Sequence, residues 1–230
     1  MMKAIHFMGG GAVLSYPINL ELEGQECIVL GGGTIAHRKV RGLLDAGAHV
    51  TVIAPEICEQ LRRETSVHWL NRRYAFGCLP RGVLFIAATD DAEVNRLAAL
   101  EAANKHMLVN IVNDPDPIDN VVRFENPSTL RSGKLLLAIS TGGTSPALSR
   151  LIRQRLENVF NDDFARRLDT ISNLRDEVKN SLDDPKARVE FWRNVLREHF
   201  FDQNIDSKKL EVLIRNALAC HRTQPSNRAD

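Results

Sequence analysis

The segment Cys27-Ile28-Val29-Leu30-Gly31-Gly32-Gly33-Thr34-Ile35-Ala36 limits what this chain can fold into more than any other. A short apolar run of strand length is followed at once by three glycines. Residues at helical spacing come next: Ile35, Val40, Leu43 and Leu44. Glycines between a buried strand and a helix let the backbone turn sharply and let a pyrophosphate approach closely. The first amides of the helix would then meet the phosphates. A loop that only turns the chain is the bland alternative, and the strand before and helix after favour the dinucleotide reading.

The same alternation continues. His49 to Ile53, Val83 to Ala87 and Met107 to Val112 are expected strands, with helices over Ile35 to Ala46 and Ala92 to Lys105. This is how parallel strands with crossover helices look in sequence. A further strand, Lys134 to Ile139, leads through Ser140-Thr141-Gly142-Gly143-Thr144 into a helix opened by Ser145-Pro146, proline being tolerated in a first turn. From about Ala147 to Ala219 the pattern is helical and charged, and the last residues are polar. Ile53 stands where an acidic ribose partner is usual, and Glu56 lies slightly later. The backbone at Pro55 and Glu56 is the substitute. The lack of a clear carboxylate leaves NADP open as the alternative to NAD, although no arginine stands immediately after this strand to favour it.

Charge decides against polyanionic partners. Thirty Lys and Arg oppose 29 Asp and Glu, for a net charge of +1, so no global field attracts nucleic acid. Cys27, Cys58, Cys78 and Cys220 form no C-x-x-C pair, which argues for reduced thiols and a cytoplasmic location. No two of the seven histidines share a helix face at ligand spacing, so no metal site is expected. Ala4 to Leu14 is too short and loose for a signal peptide or membrane span.

Several signatures occur in order: Tyr16-Pro17-Ile18-Asn19-Leu20, Gly31 to Lys39, Ala54-Pro55, Ala87-Ala88-Thr89-Asp90-Asp91, Val109-Asn110-Ile111-Val112, and Ser140 to Ala147. In this combination the chain resembles the precorrin-2 dehydrogenase and sirohydrochlorin ferrochelatase family, the N-terminal module of siroheme synthases, from about Tyr16 to Phe160. The resemblance implies an α/β fold: a Rossmann-type parallel sheet, a dimerisation region and a small helical C-terminal domain. The expected bounds are 1–113, 114–147 and 148–222, with a flexible tail at 223–230. It further implies NAD as cofactor, precorrin-2 as substrate, ferrous iron as co-substrate in members that also insert the metal, and homodimers whose clefts draw on both subunits. No membrane partner is implied.

By the same resemblance Gly31, Gly32, Gly33, Thr34 and Ile35 bind the pyrophosphate. Pro55 and Glu56 line the adenosine side, and Thr89 and Asp90 sit near the nicotinamide half. Arg38 and Lys39, one turn into the helix, are expected to be solvated or to pack. The family's catalytic aspartate matches Asn113 here, and an amide cannot accept a proton as a carboxylate can. Asp114 is therefore the expected acid/base, with Asn113 orienting substrate and Asp116 a weaker substitute. An ordinary Asn-Asp-Pro turn is the competing reading. For a substrate rich in carboxylates, Arg123, Arg131, Lys134, Ser140, Thr141, Thr144 and Arg150 are the binding candidates. Ser145 as a plain helix cap weighs equally. Three rival functions stand beside the dehydrogenase: one that is also a ferrochelatase, a regulatory module that binds nucleotide and tetrapyrrole without turnover, and a Rossmann reductase for another small substrate.

Overall fold

The computed structural model describes residues 15–113, 118–119, 121–202 and 204–223, and the side chains of these up to residue 221. Asp114, Asp116, the segment Ala4 to Leu14 and the tail from 224 lie outside the described residues. The described chain forms two compact units, one spanning Tyr16–Asn126 and the other running onward from Pro127.

The first unit holds five parallel strands, β1 (Glu26–Leu30), β2 (His49–Ala54), β3 (Val67–Asn71), β4 (Leu84–Ala87) and β5 (Leu108–Ile111), in the order β3-β2-β1-β4-β5. Helices α1 (Thr34–Leu44), α2 (Glu59–Arg62) and α3 (Ala92–Asn104) connect them. β1 and β4 are buried along their apolar runs because both faces of the sheet are covered. On one face α1 packs Ala36, Val40 and Leu43 against Val29, Val52 and Ile86. On the other, Ala98, Ala99 and Ala102 of α3 meet Ile28, Phe85 and Val109. The sequence signals omit β3 and α2. The sheet unit also extends past Asn113: the Val109 amide donates to the Val122 carbonyl (3.1 Å) and the Phe124 amide to the Val109 carbonyl (2.9 Å). These bonds draw 121–124 alongside β5, so the unit closes at Asn126.

The connection from β3 to β4 is pinned by one buried acid. Glu101 of α3 accepts from the Tyr74 hydroxyl (2.7 Å), the Gly77 and Leu79 amides (2.9 and 3.0 Å) and Lys105 Nζ (2.7 Å). Burial alone would push its carboxyl up, but these donors outweigh it and hold it below the usual glutamate range. The stabilisation is thus present above that range and lost as pH falls through the lowered folded value. Glu101→Gln is expected to cost about 2–4 kcal/mol in urea denaturation at neutral pH, leaving the Lys105 ammonium without its charge partner. It should also flatten the acid limb of the stability curve.

The second unit begins with an antiparallel hairpin, β6 (Ser128–Ser132) and β7 (Leu135–Ile139), turned at Gly133, whose φ is +56°. Lys134 to Ile139 is thus one arm of a separate sheet. Helices α4 (Pro146–Val159), α5 (Asp162–Ser181), α6 (Pro185–Val195), a π-helical turn (Leu196–Phe200) and α7 (Ser207–Thr223) follow. Leu174, Val178, Phe191, Val195, Phe200, Leu210, Ile214 and Leu218 form their core. Arg167, nearly buried, binds the Phe200 and Asp202 carbonyls and the Asp163 carboxylate, tying α5 to the end of the π turn.

Candidate functional site

The three glycines do three different jobs. Gly31 has φ +122°, and a Cβ there would lie 2.4 Å from the Ala88 carbonyl oxygen, so neither its conformation nor its surroundings admit a side chain. A Cβ on Gly32 would lie 1.9 Å from the Glu56 carbonyl oxygen, and the Gly32 carbonyl accepts the Cys58 amide at 2.7 Å. The loops after β1, β2 and β4 are therefore stacked backbone against backbone. Gly33 differs: its φ is −81°, and a Cβ there would meet nothing within 4 Å. The protein's own packing gives no reason for glycine at this position.

Gly33 is also the N-cap of α1, and no side chain caps that helix. By contrast α3, α4, α5 and α6 are capped by Asp91, Ser145, Asn161 and Asp184. The first-turn amides and the positive end of the α1 dipole are left for an external acceptor, with an open approach over Gly33. These features fit a diphosphate. Thr34 and Ile35 open the helix on its exposed side, Ile35 being 38% exposed despite its apolar side chain.

Around this turn the structure assembles Pro55, Glu56, Thr89 and Asp90, all at the carboxyl ends of the central strands. Open α/β sheets hold their ligands there. Ile53 is 2% exposed and belongs to the core, so it cannot meet a ribose, while Glu56 is exposed two residues beyond the end of β2. One flank of α1 is anchored by His37 Nε2, 3.0 Å from Glu64 Oε1, with Arg41 on the same carboxylate. The His37 hydrogen bond and the Arg41 charge hold the Glu64 carboxyl below its usual range. Arg38 is exposed; Lys39 is half-buried, and burial pulls its ammonium down, with the Arg38 charge adding to it.

Asn113 stands at the end of β5, exposed, with φ +60°. Asparagine tolerates this left-handed conformation better than most residues, and its position beside the carboxyl end of β4 is where an orienting amide would be useful. Asn110 donates to the Phe124 carbonyl at 2.8 Å, and its buried Oδ1 has no partner among the described residues. Arg123 lies in the stretch that bridges to Val109.

The second unit carries the other candidates. Ser140 accepts the Gly142 amide through its hydroxyl (3.1 Å), and both Ser140 and Thr144 are exposed. Thr141 is committed inward: its hydroxyl donates to the Ser145 carbonyl, accepts the Ser145 amide and contacts the buried Ser149 hydroxyl at 3.2 Å. Gly142 and Gly143, with φ of +59° and +78°, make the turn between them. Arg131 and Arg150 are exposed, and Lys134 binds the Ser172 hydroxyl. Ser145 caps α4 through the Leu148 amide.

Two functional-looking polar residues escape a sequence reading. Asn95 of α3 and Ser149 of α4 sit in the first turns of their helices, where either would be taken for a solvent-facing residue, yet both are buried. Only the fold reveals what they hold.

A parallel sheet in the order 3-2-1-4-5, with an uncapped helix behind a glycine turn, defines a dinucleotide-binding α/β protein. Residues 18–123 match the family model described as putative NAD(P)-binding, and residues 133–158 match the one described as sirohaem biosynthesis protein central. It is 40% identical over 184 residues to a siroheme synthase of Chromobacterium violaceum, a match covering 79% of this chain and 38% of that protein. With a siroheme synthase of Nitrosospira multiformis the identity is 37% over 191 residues, covering 80% and 40%. The chain thus spans about two fifths of the length of these relatives. A solved structure of SirC, precorrin-2 dehydrogenase, superimposes with a TM-score of 0.71 at 23% identity, covering 88% of this chain and 98% of that one, which establishes the fold. No helix among the described residues is long and apolar enough to cross a membrane.

Proposed function

We propose that this chain catalyses the NAD-dependent dehydrogenation of precorrin-2 to sirohydrochlorin. The carrying observation is Gly33, a glycine whose own surroundings do not require it, standing open at the uncapped end of α1. The match at 133–158 to a sirohaem-biosynthesis family supports a tetrapyrrole as the substrate class. When bound, the nicotinamide supplies the hydride acceptor. The chain's own residues then have three tasks. The α1 amides and the stacked glycines fix the diphosphate, and the Thr89-Asp90 lip borders the nicotinamide half. A carboxylate, assigned to Asp114 with Asn113 as orienting amide, takes the proton that leaves the macrocycle as the hydride departs. Ser140, Thr144, Arg123 and Arg150 are proposed to bind the substrate carboxylates; Thr141 instead shapes the loop that presents Ser140. Glu56 at the adenosine side favours NAD over its 2′-phosphorylated form by charge. The acting form in this proposal is a cytoplasmic homodimer, in keeping with four free thiols.

The direct test mixes purified protein, precorrin-2 and NAD and follows absorbance at the NADH band. Growth of that band together with the sirohydrochlorin spectrum supports the proposal. Binding of both ligands without NADH formation would instead support the non-catalytic regulatory reading, which Asn113 in place of the family's aspartate favours. Iron insertion is a separate activity with iron as substrate, read by adding ferrous ion to sirohydrochlorin in the same preparation.

A further inference from the structure

We propose that Asn95 is a positioning residue for the dinucleotide, acting through Thr89. This inference rests on the reading above that a dinucleotide occupies the glycine turn.

Asn95 lies in the first turn of α3 and is 4% exposed. Its carboxamide is spent almost entirely on one residue. Oδ1 accepts the Thr89 amide at 3.2 Å and the Thr89 hydroxyl at 2.7 Å, while Nδ2 donates to the Thr89 carbonyl at 3.0 Å. A single side chain therefore answers both backbone groups of Thr89, as a neighbouring strand would. It does so just where β4 has ended, at Ala87, and no ladder is left to continue. Burying an amide here is costly unless every group is matched, and an alanine would serve helix and core as well.

The residue so held matters because of what precedes it. The Ala88 carbonyl lies over Gly31, within 2.4 Å of where a Cβ would stand, and the Thr89 amide nitrogen lies 3.2 Å from the same point. The Ala88 amide donates to the Leu30 carbonyl at 2.8 Å. The Ala88-Thr89 lip and the glycine turn thus share one surface, and Asn95 fixes the far end of the lip. Thr89 contributes a second lock: its hydroxyl accepts the Asp91 amide at 3.2 Å, so the residue capping α3 is oriented by the same knot. With the lip fixed, the cofactor binds a preformed edge and orders nothing on arrival.

The test compares wild type, Asn95→Ala and Asn95→Asp by NAD titration, steady-state kinetics and thermal melting. Asn95→Ala is expected to raise the Kd and KM for NAD about tenfold, the worth of roughly one lost hydrogen-bond set. At saturating NAD its kcat should stay within about twofold of wild type, because the group touches no reacting atom. Asn95→Asp supplies a readout that a packing role would not move. Protonated, its carboxyl matches the amide in shape and donates to the Thr89 carbonyl; ionised, it sets a charge against that oxygen. Its NAD affinity should therefore fall as pH rises, with no such profile in wild type or Asn95→Ala. If Asn95→Ala does not fold, that pH profile alone carries the comparison. An Asn95→Ala protein that melts lower yet binds NAD as wild type does, or an Asn95→Asp protein without the profile, overturns the proposal while leaving the site reading intact. Wild type that fails to bind NAD overturns the site reading itself.

Discussion

Gly33→Asp should make the protein more stable and unable to bind NAD. The backbone at Gly33, φ −81° and ψ −176°, is the extended conformation of an N-cap, and nothing lies within 4 Å of an added Cβ. An aspartate there can accept the free first-turn amides of α1 and add favourable charge at the positive end of the helix, for a gain of a few tenths to about 1 kcal/mol. The same carboxylate occupies and repels the place where a diphosphate would be held. Loss of NAD affinity by roughly 100-fold or more is expected, equivalent to about 3 kcal/mol. Thermal melting and NAD titration on one preparation check both halves. A variant that melts higher and still binds NAD as wild type does would show that the diphosphate does not sit at α1.

The second large effect concerns the proton. Asp114→Ala should lower kcat by about 10²- to 10⁴-fold, the usual worth of a positioned acid/base, with little change in NAD affinity. Asn113→Ala should cost much less, about tenfold, mainly because alanine is less content than asparagine at φ +60°. Stopped assays at saturating NAD and precorrin-2 compare the two. The reverse order would overturn the assignment of Asp114 as the acid/base.

How far the sequence foretold this site depends on which physical signal each residue sends. β1 and β4 were legible because both faces are buried behind unbroken apolar runs, and β2 and β5 because apolar residues dominate them despite Thr51 and Asn110. β3 was not: it is an edge strand of Val67-His68-Trp69-Leu70-Asn71, and α2 before it spans only Glu59–Arg62, too short to show a period. β6 has one apolar residue, Leu130, and is held as a strand by its partner β7. The glycine turn was legible as a turn, but its division of labour was not. Only neighbouring backbones reveal that Gly31 and Gly32 are forced by the protein while Gly33 is not. Asn95, Glu101 and Ser149 were hidden for a shared reason: a polar residue inside a helix reads as solvent-facing until its distant partner is in place.

The strand order carries a consequence for synthesis. β1 is made first and pairs with β2 straight away, yet its other side waits for β4, with β2, α2, β3 and the Glu101-pinned connection all translated in between. Until then a nascent chain displays an unpaired strand edge, apolar from Cys27 to Leu30, at the centre of its future sheet. Fragments ending before Leu84 should therefore clump or recruit chaperones, while those that reach past α3 can close the sheet.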